Sequence, residues 1–315
     1  MSQAAAKDSQ KADKVASTPA AEQPAGAGVG MGVVLEHVRR PDEVRMPHVV
    51  EFRNVAKTYN AGLPNAFTAI RDVTFVVQDL VGKGEFVCVL GPSGCGKSTI
   101  LRLIAGLAPQ HPATEGEVLV FNQPVAGPGA DRGMVFQDYT SFDHRTVLDN
   151  VAFGLECRGE PRKLRYEQAR HWIDRVGLSV STDQYKYPHE LSGGMRQRVA
   201  IARTLILKPR IILMDEPFGA LDPMTRMNMQ DLLLSLWREV EATVFFVTHS
   251  IEEAVFLADR IYILSNSPGT ILKELKVEPS DRPSKDMQRE PRFQETVYYI
   301  RELISQLEES KRAGT

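Results

Sequence analysis

Eight consecutive residues, Gly91-Pro92-Ser93-Gly94-Cys95-Gly96-Lys97-Ser98, fit the pattern G-x-x-x-x-G-K-[ST] at every fixed position. The chemistry of such a run is phosphate cradling. Its glycines let backbone N–H groups turn inward, the N-terminus of a following helix adds partial positive charge, and the ammonium of Lys97 reaches the β- and γ-phosphates of a nucleotide. The hydroxyl of Ser98 is then placed to ligate Mg²⁺, with Thr99 beside it at the start of the same helix. Cys95, at a helix N-terminus next to Lys97, is expected to carry a thiol more reactive than average.

Acids and a base stand farther along the chain. Ile211-Ile212-Leu213-Met214 is an apolar run ending in two adjacent carboxylates, Asp215 and Glu216. Asp215 is read as the acid that holds the metal's water shell, and Glu216, pointing elsewhere, as the group that takes a proton from attacking water. His249 follows the apolar run 243–248 and is poised to donate to a phosphate oxygen. Gln137 ends the short run 133–136, where a polar residue faces the ligand crevice of an open α/β sheet. Tyr59 is an aromatic in the early turn whose ring suits stacking on adenine. On local physics alone, Tyr59 reads more readily as a packing residue and His249 as a structural histidine, while Ser192 reads equally as a helix cap.

The elements that must position these residues follow from the pattern. Residues 85–90 form a short apolar run suited to a buried parallel strand, and 99–105 continue with helix formers, so the glycine loop sits between strand and helix. Two strands precede it, 49–55 and 72–77, and imply a small antiparallel layer attached to the nucleotide core. Strands are also predicted at 116–121, 133–136, 211–214 and 243–248. Val147, Val151 and Leu155, then Ala169, Ile173 and Val176, repeat at helical spacing, which predicts a helical insertion over about 140–198. Ser192 opens a helix that runs through Leu205. The fold class is α/β: a phosphate-loop core with a small antiparallel β layer and a helical subdomain.

Composition bounds the rest. With 315 residues, 43% hydrophobic and 25% charged, the chain can bury one large core or two. A net charge of -2 gives no bulk electrostatic reason to expect nucleic acid. Three cysteines, Cys88, Cys95 and Cys157, share no metal-like spacing and leave an odd thiol, which favours a reducing compartment such as the cytoplasm. No run approaches the roughly 18 apolar residues that span a bilayer, so transport would need another chain to make the pore. Residues 1–46 are rich in Ala, Lys, Gln, Gly and Pro and are read as a disordered leader without a secretory signal. Within them Gly26–Gly32 is read as a linker, because Pro24 and polar residues precede it where a dinucleotide loop needs a strand. In the tail, Phe293, Val297, Ile300, Ile304 and Leu307 form one apolar helical stripe, set apart by Pro279, Pro283 and Pro291. That stripe either packs back on its own subunit or holds two subunits together.

Together these pieces resemble the ATP-binding subunit of an ABC transporter. Gly91 to Ser98 matches the Walker A loop, Gln137 the Q-loop, Leu191 to Gln197 the signature, Ile211 to Glu216 Walker B with its glutamate, Ala220-Leu221-Asp222 the D-loop, and His249 the switch histidine. Tyr59 falls where the family has its adenine-stacking aromatic. Met195 departs from the Gln of the LSGGQ signature. The resemblance implies an ATPase domain over 47–266 and a C-terminal extension with a helix over 267–315. It implies a homodimer in which each ATP lies between Walker A of one copy and Ser192, Gly193 and Gly194 of the other, with Asp222 nearby. It further implies that Lys97, His249 and Mg²⁺ offset γ-phosphate charge, that Ser98, Gln137 and Asp215 serve the metal, and that Glu216 handles water. Gln137 would report the nucleotide's state to a permease.

The finer resemblance is to ATPases of nitrate, sulfonate and taurine importers, carried by Met134-Val135-Phe136-Gln137-Asp138-Tyr139, by the stretch from Thr146 to Leu155, and by Leu191-Ser192-Gly193-Gly194-Met195. Phe142-Asp143-His144-Arg145 departs from that branch. This implies permease subunits and a solute-binding protein as partners, and a place on the cytoplasmic face of a bacterial inner membrane. The absence of a long extra C-terminal domain argues against sugar importers. An exporter ATPase shares every motif; a non-transport ABC ATPase would need two cassettes or a coiled-coil insertion.

Overall fold

Two long strands open the described chain, β1 (His48–Tyr59) and β2 (Phe67–Gln78), paired antiparallel. The computed structural model describes residues 47–313 apart from 81, 139 and 279. The predicted leader 1–46, with its glycine-rich stretch Gly26–Gly32, lies outside the described residues, as do Tyr139 and Pro279. On its other side β1 pairs antiparallel with β4 (Glu115–Val120), which continues to the short β5 (Gln123–Pro124), giving the order β2-β1-β4-β5. This is the predicted small layer. Its inner face buries Val50, Phe52, Val73, Phe75 and Val77, and the Phe52 and Phe75 rings stack with centroids 4.6 Å apart.

The second sheet has six strands: β3 (Phe86–Leu90), β6 (Arg132–Val135), β7 (Ile211–Asp215), β8 (Thr243–Thr248), β9 (Arg260–Leu264) and β10 (Ile271–Lys276). Their order is β10-β9-β3-β8-β7-β6, parallel except for the antiparallel edge β10. A parallel sheet is covered on both faces, so its strands read as unbroken apolar runs instead of alternating ones. The pleat still sorts the side chains. Val87, Val89, Phe245 and Val247 point into a cluster shared with the antiparallel layer and α1 (Lys97–Ala105), while Phe86, Cys88, Leu90, Val244 and Phe246 point into a second cluster covered by helices. Phe75 meets both Phe245 and Tyr262, joining the two sheets.

The predicted insertion consists of α2 (Val147–Cys157), α3 (Arg162–Arg175) and α4 (Gly193–Leu205), packed on one another. Thr146 caps α2 by accepting from the Asp149 N–H. Then come α5 (Pro223–Trp237), α6 (Ile251–Leu257), α7 (Ser284–Met287) and α8 (Pro291–Ala313). Residues 271–276, assigned by sequence to an extension, instead form the sheet edge β10. The prolines do not set the tail apart: Phe293, Val297 and Ile300 are buried in the helix-covered cluster, with Leu303 and Ile304 partly buried against it. Of the two readings of the stripe, the structure carries the one in which it packs on its own subunit. The side chain of Leu307 lies outside the described residues.

Candidate functional site

The glycine loop leaves the C-terminal end of β3 and turns straight into α1, whose first residue is Lys97. Gly96 caps that helix at φ 97°, and a Cβ there would lie 2.4 Å from Ile70 Cγ2 and 2.8 Å from the Ala69 carbonyl oxygen, so a side chain fits neither the backbone nor the space. Gly269, in the segment before β10, runs so close beneath the loop that its Cβ would stand 2.0 Å from the Cys95 oxygen. Its backbone is pinned there by hydrogen bonds from Gly269 N–H to Ala69 and from Arg71 N–H to Gly269. Sequence reasoning missed this floor to the loop.

Lys97, 4% exposed, donates from Nζ to the carbonyls of Gly91 and Pro92 at 2.9 Å each and lies 3.4 Å from Glu216 Oε1. Ser98 Oγ donates to Asp215 Oδ1 at 2.6 Å. Burial pushes the Asp215 carboxyl above the usual carboxylate range, and the Ser98 hydrogen bond and the Arg102 guanidinium, 3.6 Å from Oδ2, oppose it. Arg102 was not singled out by sequence, although its i+4 spacing from Ser98 puts both on one helix face.

Glu216 follows β7 with φ 43°, rare for a residue with a side chain; its N–H donates to Val247 and its carbonyl accepts from Gly219. That turn sends its carboxylate away from Asp215, toward Lys97 on one oxygen and His249 Nδ1, at 3.1 Å, on the other. Five of the predicted chemical groups, from three separate stretches of sequence, thus meet at the loop: Lys97 with Ser98, Asp215 with Glu216, and His249. Tyr59, at the end of β1, reaches the same helix start, its hydroxyl 3.2 Å from Thr99 Oγ1.

Other predicted residues stand apart from this cluster. Gln137 lies exposed in the turn after β6, and among the described residues no hydrogen bond or ion pair joins it to Ser98 or Asp215. Ser192 is the N-cap of α4, accepting from the Met195 N–H at 3.3 Å. Gly193 and Gly194 form the first turn of α4, where a Cβ on Gly193 would meet nothing of its own chain within 4 Å. Asp222 is the N-cap of α5, accepting from Thr225 N–H at 3.0 Å, and hydrogen bonding from the Thr225 side chain, then from its N–H, holds the carboxyl below the usual range. The expectation for Cys95 fails. Its side chain is 1% exposed, and burial pushes the thiol up, outweighing the pull of Lys97.

The donors fit Mg²⁺. A hydroxyl and a buried carboxylate converge, and among the described residues no three of His, Cys, Asp and Glu form a closed cage, which suits an ion that keeps waters and phosphate oxygens in its shell.

The family model for ABC transporters matches residues 77–219. The chain is 50% identical over 239 residues to a nitrate import ATP-binding protein of Synechocystis, covering 74% of this chain and 86% of that protein. It is 48% identical over 252 residues to an uncharacterized ABC transporter ATP-binding protein of Methanocaldococcus jannaschii, covering 79% of this chain and 90% of the relative. This chain belongs to the ABC transporter ATP-binding family. As an ABC ATPase it resembles in fold a dimeric ATP-binding cassette bound to ADP and phosphate, with a TM-score of 0.62, 34% identity, and coverage of 73% of this chain and 99% of the cassette. A taurine import ATP-binding protein of Burkholderia pseudomallei is 45% identical over 250 residues, covering 78% of this chain and 93% of that protein. The two sheets, the helical insertion and the phosphate loop are therefore those of an ABC ATPase, and its activity is ATP hydrolysis.

Proposed function

We propose that this chain is the ATP-hydrolysing subunit of a membrane importer for a small oxyanion, nitrate or a sulfonate such as taurine. The observation that carries the reading is the convergence of Lys97, Ser98, Asp215, Glu216 and His249 at one phosphate loop. The nitrate and taurine import relatives support the cargo class. In this reading Tyr59 stacks on adenine while residues Gly91 to Thr99 hold the phosphates. Lys97 leaves its carbonyl partners to neutralise the β- and γ-oxygens. Ser98 and Asp215 hold Mg²⁺, which supplies charge neutralisation to the transferring phosphoryl group. Glu216 orients and deprotonates the attacking water, and His249 donates to a γ-phosphate oxygen.

A second copy completes the site. The open space over Gly193 and the exposed N-terminus of α4 suit an anion brought by another chain, where helix dipole and free N–H groups face the γ-phosphate. The dimeric cassette relative supports this arrangement.

Among the described residues no helix is long and apolar enough to cross a membrane, so the pore belongs to permease subunits. A groove of about 830 Å³ between β6 and the helical insertion, with Met134, Phe136, Phe142, Phe153 and Leu207 among its lining, offers them an apolar seat. Its rim is rigid. Buried Asn150 accepts from the Phe142 N–H at 2.8 Å and donates to the Phe142 carbonyl at 3.1 Å, while Arg145 lies over the Phe153 ring and pairs with Glu156. In this reading the protein sits on the cytoplasmic face of the membrane, and a solute-binding protein reaches it through the permease. The test is reconstitution with that permease in vesicles. MgATP-driven uptake of labelled nitrate or taurine, abolished by Lys97→Ala, is expected; ATP hydrolysis without uptake of either oxyanion contradicts the cargo assignment.

A further inference from the structure

His249 sits between two residues, Thr248 and Ser250, whose side chains both enter relays ending in the C-terminal segment. On one side the Thr248 hydroxyl donates to Glu253 Oε2 at 2.5 Å and accepts from the Ser250 N–H at 3.0 Å. Glu253 is 6% exposed, and its other oxygen faces Gln230 Nε2 at 3.5 Å and Arg226 Nε at 3.6 Å. Gln230, buried in α5, accepts through its amide oxygen from Ser284 Oγ at 3.0 Å, and its neighbour Asp231 accepts from the Ser284 N–H at 2.7 Å. On the other side Ser250 Oγ accepts from the Glu253 N–H and donates to Glu252 Oε2 at 3.1 Å. Arg301 of α8 reaches back to Glu252 Oε1 at 3.1 Å.

These relays are not what anchors the segment. Phe293, Val297 and Ile300 already bury the inner face of α8, which packs on α6, and Ser280 Oγ donates to the Phe256 carbonyl near the end of α6. A carboxylate inside the protein costs free energy unless its partners are fixed, and an apolar side chain would fill the place of Glu253 more cheaply. Here the partners come from the end of β8, from α5 and, one bond farther, from α7. Arg226 extends the same group to the Leu221 carbonyl, beside Asp222.

We propose that Ser284 and Arg301 are positioning residues for ATP hydrolysis: acting through Glu253 and Glu252, they hold the turn Thr248–Ser250 so that the His249 imidazole faces Glu216 and the phosphate loop. The C-terminal segment is thereby part of the catalytic geometry of its own subunit. This rests on the reading of His249 as the γ-phosphate donor.

Arg301 is 60% exposed at its side chain, so Arg301→Gln leaves the core intact; Ser284→Ala removes one buried hydroxyl, and Arg301→Lys keeps the charge. Two readouts are taken on the full-length chain: ATPase kinetics against MgATP concentration, and the ¹³C resonance of the His249 ring, assigned by its loss in His249→Ala. In Arg301→Gln and Ser284→Ala, kcat is expected to fall about three- to tenfold with KM within about twofold, and the His249 resonance to move. Arg301→Lys should restore both toward wild type. Substitution of Tyr298, exposed on the same helix, should change neither. A His249 resonance at its wild-type position, or an unchanged kcat, in both variants overturns the proposal. ATP hydrolysis by His249→Ala at the wild-type rate overturns instead the reading of His249, whatever the tail variants do.

Discussion

Asp215 shows how one residue trades stability for chemistry. The residue is 2% exposed, and burial raises the pKa of its carboxyl. A carboxyl with a raised folded-state pKa holds more protons folded than unfolded between the two values, so stability falls as pH rises through that window and stays lowered at neutral pH. Asp215→Asn keeps an acceptor for Ser98 while removing the charge. The nucleotide-free variant is expected to melt about 1–4 °C above the parent at pH 7.5, with the gap closing as pH falls toward the ordinary carboxylate range, while added MgATP no longer raises its melting temperature. A clear loss of thermal stability at pH 7.5 would show instead that the Ser98 and Arg102 partners outweigh burial. At this scale the sequence was informative where spacing is local. The run from Gly91 to Ser98 is contiguous, and Asp215 and Glu216 end one strand, so both were legible. The opposite drift of Cys95 was not, because helix position and Lys97 are visible in sequence whereas the burial that wins comes from tertiary packing. Glu253 was missed although Ser250 and Glu253 have S-x-x-E spacing; only half of that capping box forms, since the carboxylate turns to Thr248 and Arg226.

Among elements, the ones read correctly carry strong local signals. The strands 85–90, 211–214 and 243–248 are apolar runs bounded by turns, and the helices of the insertion keep their period. The unread ones are of two kinds, some with a local start signal and some that depend on distant partners. Asp222-Pro223 is an N-cap followed by proline at N1, a start signal for α5 that was available. β10, Ile271-Leu272-Lys273-Glu274-Leu275-Lys276, neither alternates cleanly nor forms an unbroken apolar run, and it follows Gly269 passing under the phosphate loop, which no local pattern announces. For α8 the stripe was visible but its partner was not. Each of Phe293, Val297 and Ile300 contributes about 1.5–3 kcal/mol by burial, a large share of a total folding stability of about 5–15 kcal/mol. Ending the chain after Ser284 is therefore expected to give insoluble protein or a melting temperature lowered by about 10 °C or more. A truncated chain as stable as the parent would mean that α8 is held far more weakly than its burial indicates.

The whole molecule is half of a machine. The phosphate loop gathers its carboxylates and His249, while Ser192 and Asp222 cap helices, Gly193 opens the first of those, and none of the three hydrogen-bonds to the Lys97 cluster among the described residues. In the proposed arrangement two copies set face to face reconcile these placements, each supplying an α4 N-terminus to the other's nucleotide. In the proposed reading hydrolysis depends on Glu216 as the base, and losing the base should trap the closed pair, because the amide keeps the shape of the side chain without its proton affinity. The most direct measurement is light scattering on size-exclusion chromatography of Glu216→Gln with and without MgATP, alongside its turnover. A monomer that becomes a stable dimer on adding MgATP, with hydrolysis slowed about 100-fold or more, is the result the two-copy site predicts. A Glu216→Gln chain that stays monomeric with MgATP and hydrolyses it near the wild-type rate would contradict it.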